Sequence, residues 1–103
     1  MFVGDFDGAG PVVGPVQFID GAATAATAPS GLSYPPADVA TKLSFSNNGG
    51  ASYGYTPTPD AGTGCDPLVT HFKISFNKPA DIFAGSNGTN HPTFTLMFRA
   101  RIK

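Results

Sequence analysis

Apolar and polar residues alternate with period two through much of this chain, the spacing of half-buried β-strands. The longest run is Thr93–Lys103. Phe94, Leu96, Phe98, Ala100 and Ile102 fall on one face, and Thr93, Thr95, Met97, Arg99, Arg101 and Lys103 on the other. A helix does not produce so sustained an alternation. Leu68–Phe76 predicts a second long strand, with Phe72, Ile74 and Phe76 inward and His71, Lys73 and Ser75 outward. Thr41–Ser46 predicts a third, with Leu43 and Phe45 inward. Asn47-Asn48-Gly49-Gly50 follows, and Asn and Gly accept the positive φ that tight hairpins need. The strand is therefore expected to return through Ser52–Thr56, with Tyr53 and Tyr55 sharing a face.

Shorter elements complete the pattern. Pro15–Ile19 reads as a strand with Val16 and Phe18 on one face, stopped by Asp20-Gly21. Gly31–Tyr34 alternates until Pro35-Pro36 breaks it. The N-terminal segment is apolar at Phe2 and Phe6 and ends in the turn Asp7-Gly8-Ala9-Gly10. Ala22–Ser30 has no amphipathic stripe, and Thr24 and Thr27 lower helix propensity, so it is expected to be loop. Pro57–Pro67 and Asn77–Pro92 also read as loops. Phe72, Ile74, Phe76, Phe94, Leu96, Phe98 and Ile102 are expected in one core.

About six or seven short strands with frequent turns and no amphipathic helix predict an all-β, antiparallel β-sandwich. With 103 residues, positions 1–103 form a single domain. The 13 Gly and 10 Pro are spread along the chain as punctuation, which disfavours a disordered or collagen-like polymer. The net charge of −1 and six Lys and Arg leave no electrostatic footprint for nucleic acid. Apolar runs are too short for a membrane-spanning helix. A single cysteine, Cys65, excludes an intramolecular disulfide. The N-terminus has neither a basic stretch nor an apolar one of signal-peptide type. Two expectations follow, a cytosolic protein or a mature or truncated piece of a larger one.

Candidate chemistry is sparse. Cys65 and His71 could form a nucleophile–base pair, but Cys65 lies in a loop, His71 faces outward, and no third group orients the base. Cys65, His71, His91 and Met97 supply the ligand inventory of a blue-copper site, yet both histidines follow the cysteine and the usual order is absent. Asp60 and Asp66 flank a Gly-rich loop that could offer oxygen ligands to Ca²⁺, but two carboxylates and some carbonyls fall short of the six to eight oxygens required unless Asp5, Asp7, Asp20 or Asp38 join from elsewhere. Tyr53 and Tyr55 could stack on a sugar, although Trp, the usual platform, is absent. Asn87-Gly88-Thr89 matches a glycosylation sequon and equally reads as a turn. There is no phosphate loop, zinc spacing or dinucleotide fingerprint. No catalytic, cofactor-binding or metal-ligating residue is therefore assigned.

Several strings, taken in order, resemble the later part of a bacterial surface-protein repeat known only as a domain of unknown function (number eleven). They are Phe-Val-Gly-Asp-Phe-Asp-Gly-Ala-Gly from Phe2, Gly-Pro-Val-Gln-Phe-Ile-Asp-Gly from Gly14, and Pro-Ser-Gly-Leu-Ser-Tyr from Pro29. The resemblance is strongest at Leu43–Pro57 and continues at Cys65–Ile74 and Pro92–Ile102. It implies an immunoglobulin-like sandwich in a secreted or cell-surface protein, with a structural or adhesive role and no catalytic residues to carry over. Members of that family open with two further strands, so the chain is expected to be the C-terminal part of a larger module. Ala22–Ala28 is a longer insertion than the family shows. The expected partners are neighbouring copies or domains of a surface protein. A homo-oligomer would form by edge pairing or by exchange of Met1–Phe6; in the competing arrangement, Met1–Ile19 folds back on its own chain. The alternative function is a carbohydrate-binding module, with or without Ca²⁺.

Overall fold

A computed structural model describes residues 1–5, 14–32, 42–76 and 83–102. The expected turn at Asp7–Gly10, the break at Pro35-Pro36, and residues Phe6, Ser33, Tyr34, Thr41 and Lys103 lie outside the described residues. The named elements are all strands: β1 (Val16–Asp20), β2 (Thr27–Pro29), β3 (Leu43–Ser46), β4 (His71–Ile74) and β5 (His91–Phe98). They form two sheets, one ordered β1-β5-β2 and the other β3-β4. The all-β class expected from the alternation is present.

β1 runs antiparallel to β5, from Val16 opposite Phe98 to Asp20 opposite Phe94. β2 runs parallel to β5, pairing Thr27–Pro29 with His91–Thr93. This corrects two expectations, since Ala22–Ser30 is not all loop and the pairing is not all antiparallel. The physical cause is local. Thr24 Oγ1 accepts hydrogen bonds from Ala26 N–H (3.2 Å) and Thr27 N–H (2.9 Å), while the Thr27 hydroxyl donates to Ala22 O (2.7 Å). That turn reverses the chain, and His91 N–H then donates to Ala26 O at 2.9 Å. β1 and β2 flank different halves of β5 and meet at Thr93, which pairs with Pro29 and also accepts from Gly21 N–H. Pro92, which has no N–H, is tolerated because it needs to bond along one edge only.

β3 and β4 are antiparallel, with Leu43 opposite Ile74 and Phe45 opposite Phe72. The expected hairpin across residues 47–50 is reduced to a single bridge, Phe45 to Tyr55. Gly49 and Gly50 do take positive φ (74° and 87°). The loop is wider than a tight turn, however, because the Ser46 and Asn48 side chains organise it. Gly50 N–H donates to Ser46 Oγ (3.0 Å), and Ser52 N–H to Asn48 Oδ1 (3.0 Å). The ladder partner of β3 is instead β4, further along the chain.

The two longest predicted strands are shorter than their alternation. Leu68–Phe76 contracts to β4 because Leu68 N–H is taken by the Asp66 carboxylate (2.8 Å), which holds that end in a turn. The strand from Thr93 begins two residues earlier, at His91, and stops at Phe98, where β1 runs out. The inward–outward parity is as expected, but the core is smaller. Among the described residues Val16, Leu43 and Phe45 are the buried apolar ones, and Phe18, Phe72, Ile74, Phe76 and Leu96 pack against them. Phe94 and Phe98 are 36% and 51% exposed, and Ile102 is 95% exposed. Those three were expected inside. With one face of β5 left incompletely covered, Phe94 instead joins an aromatic group with Phe18 (5.6 Å), Phe83 (5.8 Å) and Phe76 (6.4 Å).

Candidate functional site

The polar residues concentrate between β3 and β4, in the segment from Tyr53 to Thr70. Asp66 is its centre and is essentially buried. Its Oδ2 accepts from the Tyr55 hydroxyl (2.7 Å) and Thr58 N–H (2.8 Å), and its Oδ1 from Leu68 N–H (2.8 Å). Burial pushes the Asp66 pKa up. The Thr58 N–H, the Tyr55 hydroxyl, the Leu68 N–H and the nearby Met1 ammonium outweigh it, and the carboxyl sits below its ordinary value. The same contact, with burial adding to it, raises the Tyr55 pKa.

Asp60 organises the turn before it. Its Oδ1 accepts from Gly62 N–H (2.9 Å), Thr63 N–H (3.0 Å) and the Thr63 hydroxyl (3.2 Å). These bonds, helped by the Arg101 charge, lower its pKa despite some desolvation. The carboxylates of Asp60 and Asp66 are thus both directed at the protein's own donors rather than converging on a common point. Among the described residues no group of three or more His, Cys, Asp or Glu is placed to hold a metal ion.

Met1–Val3 docks on this loop within its own chain. Asp66 N–H donates to Met1 O (2.8 Å), Val3 N–H to Gly64 O (3.1 Å) and Phe2 N–H to Arg99 O (2.9 Å). Phe2 pairs with Cys65 as an isolated antiparallel bridge, and the Arg99 guanidinium lies 5.4 Å from the Phe2 ring centre. Met1–Val3 thus lies against Gly64–Asp66 and Arg99.

Beside the docked segment lies an open cleft of about 1090 Å³. Its lining includes Asp60, Cys65, His71, Phe72, Phe98 and Ile102, and the Phe72 and Phe98 rings meet edge to face with centroids 5.0 Å apart. Cys65 and His71 thus border the same cleft, but no hydrogen bond joins them, and among the described residues no side chain hydrogen-bonds the imidazole. His91 is elsewhere, its Nδ1 bonded to Ser86 Oγ at 2.8 Å, and Met97 is 40% exposed on the outward face of β5. The four potential copper ligands are not brought to one place. Lys73 Nζ lies 4.5 Å from the Tyr53 ring centre, while Tyr55 turns its hydroxyl to Asp66. Asn87 Oδ1 accepts from Thr89 N–H (2.9 Å) and Asn90 N–H (2.7 Å), so the sequon residues form a turn.

The Asp66–Tyr55 bond was not legible as a pair in the sequence: the residues are eleven apart in a loop, with no periodicity linking them. The cleft is likewise a product of packing, because its lining comes from distant segments. Comparison with family models, with curated proteins and with solved structures gives no match.

Proposed function

We propose that this chain is a non-enzymatic module of a secreted or cell-surface protein, immunoglobulin-like in its sandwich, with a structural or adhesive role. The observation that carries the reading is how the polar groups are used. Asp20, Asp60, Asp66, Ser46 and Asn87 each direct side-chain oxygen to backbone N–H groups of the chain itself. A catalytic site needs the opposite, polar groups held ready for a reacting molecule. The resemblance to the bacterial surface repeat supports the location and the absence of catalytic residues. The carbohydrate reading is not favoured, because Lys73 covers Tyr53 and the Tyr55 hydroxyl is committed to Asp66.

The test is protease shaving of intact source cells, followed with an antibody raised against this chain. The expected result is loss of the epitope from unbroken cells and from shed material. Protection until the cells are lysed would overturn the location. A turnover activity abolished by Cys65→Ser or His71→Ala in a folded protein would overturn the non-enzymatic reading.

A further inference from the structure

Two Asn-Gly pairs occur in the chain, Asn48-Gly49 and Asn87-Gly88. In such a pair the main-chain nitrogen of the second residue can close a five-membered ring on the side-chain carbonyl carbon of the first, because glycine has no Cβ to obstruct it. The two pairs are held differently. At Asn48 both ends of the carboxamide are bonded. Oδ1 accepts from the Ser46 hydroxyl (2.8 Å) and Ser52 N–H (3.0 Å), and Nδ2 donates to Ser52 Oγ (2.9 Å). Gly49 N–H donates to Thr70 Oγ1 (3.0 Å), whose hydroxyl donates to Ser46 O (3.1 Å), so the proton path from that amide ends on a carbonyl.

At Asn87 the groups are arranged for reaction. Oδ1 accepts from Thr89 N–H (2.9 Å) and Asn90 N–H (2.7 Å), whereas among the described residues Nδ2 meets only Asn90 Oδ1, at 3.4 Å. Two main-chain donors on one carbonyl oxygen polarise Cγ and stabilise the charge that oxygen gains when a nucleophile adds. Gly88 N–H donates to Ser86 Oγ (3.0 Å), which lies 2.8 Å from His91 Nδ1. The Ser86 hydroxyl has a second acceptor in Asn90 O (3.2 Å). Turned to Nδ1, with the imidazole proton on Nε2, it completes a path from the Gly88 amide to a base. Asn90 Nδ2 on Thr24 O (2.6 Å) and His91 N–H on Ala26 O (2.9 Å) anchor this end of the loop to the chain before β2. Gly88 has φ +87° with open space where a Cβ would stand, and both Asn87 and Gly88 are exposed to water.

We propose that Asn87-Gly88 is a self-modification site, at which the Gly88 nitrogen displaces the Asn87 side-chain amide while Ser86 and His91 take up its proton. Gly88 N loses that proton through Ser86 to His91 and bonds to Asn87 Cγ. The Cγ–Nδ2 bond breaks, and Nδ2 leaves as ammonia with the proton His91 had taken. The product is a cyclic imide. Water then opens the ring: addition at Cγ leaves aspartate, and addition at the main-chain carbon leaves isoaspartate. One water is consumed, one ammonia is released, and nothing is oxidised or reduced. Either product adds a negative charge to the loop before β5, and isoaspartate also lengthens its main chain by one carbon. The event occurs once per chain, so it marks age and is not a turnover, and it does not depend on the structural or adhesive reading.

The experiment incubates the whole chain at neutral pH, folded and unfolded in guanidinium chloride. Peptides around Asn48 and Asn87 are followed by mass spectrometry, with isoaspartate labelled by its methyltransferase. Asn87 is expected to convert at least about tenfold faster in the folded protein than in the unfolded one, within what a general base and oxyanion donors contribute. Asn48 is expected to slow on folding. Ser86→Ala and His91→Ala should each lower the Asn87 rate by about tenfold or more. Ser86→Thr should keep the rate, and imidazole in the buffer should restore it in His91→Ala. If Ser86 merely clamps the loop, Ser86→Ala loosens it and conversion speeds up, an outcome that would overturn the relay. Conversion of Asn87 no faster in the folded than in the unfolded chain would overturn the site itself, and that comparison needs no variant.

Discussion

The Asp66 carboxylate accepts from the Tyr55 hydroxyl, Thr58 N–H and Leu68 N–H, and so ties the loop after β3 to the start of β4. Asp66→Asn keeps the shape but turns an amide N–H₂ toward donors or drops one of them. The expected loss is about 2–3 kcal/mol, read as a lower urea midpoint at neutral pH, because a buried donor left unsatisfied costs more than an ordinary hydrogen bond contributes. The carboxyls of Asp20, Asp60 and Asp66 all have pKa values lowered from 3.8. The folded state then holds protons more weakly than the unfolded one. The stabilisation these groups provide is complete above pH 3.8 and disappears as pH falls through their folded values. Tyr55 behaves oppositely: its pKa is raised above 10.0, so its contribution is complete below that pH and declines as the solution becomes more alkaline. Urea melts across pH should therefore show a steeper acid limb for the parent than for Asp66→Asn, and a steeper alkaline limb than for Tyr55→Phe. Equal limbs would mean the pair does not form.

At the scale of the elements, two glycines are required by close approach. Gly21 follows β1 where the chain passes the start of β5; its N–H donates to Thr93 O at 2.8 Å. A Cβ there would collide with Thr93 O and Ala28 O, which are backbone atoms and cannot swing aside. Gly64 has φ +69°, and a Cβ would come within 2.7 Å of the Phe2 ring. Gly21→Ala is expected to detach β2 from β5 and lower the melting temperature sharply. Gly64→Ala should cost about 1–2 kcal/mol from the left-handed backbone, with Phe2 able to move. Amide exchange of Thr27–Ala28 should rise in the first variant and stay unchanged in the second; the reverse order would refute the placement. The sequence shows the Asp20-Gly21 stop but not its reason, since the contact includes Thr93, more than seventy positions away.

Over the whole molecule, the buried apolar centre among the described residues is small. The radius of gyration is 15.4 Å, against about 13 Å for a compact domain of this length. The buried apolar centre is Val16, Leu43 and Phe45, while Phe98 remains half exposed. Phe45→Ala should therefore cost about 3–5 kcal/mol, the usual range for emptying a buried aromatic site. Phe98→Ser should cost far less, since solvent already reaches half of that side chain, and should reduce binding of an apolar dye such as ANS at the cleft. Comparable destabilisation by the two substitutions would mean that Phe98 is buried in solution and the cleft closed.

Alternation alone determined the all-β class, the positions of β1, β3, β4 and β5, and which residues of each face inward. It could do so because side-chain parity in a strand is local and has period two. Turn chemistry likewise marked Gly49-Gly50 and the Asn87 turn, where the side chain bonds within a few residues. Only the tertiary structure decided the partners. Thr27–Pro29 is a strand because β5 lies beside it, and β3 takes β4 as its ladder partner while Tyr55 keeps a single bridge to Phe45. Phe94, Phe98 and Ile102 have the inward parity of core residues, yet burial requires another surface to cover them. Parity states which way a side chain points, whereas the presence of something opposite depends on segments distant in sequence, and no local pattern encodes that.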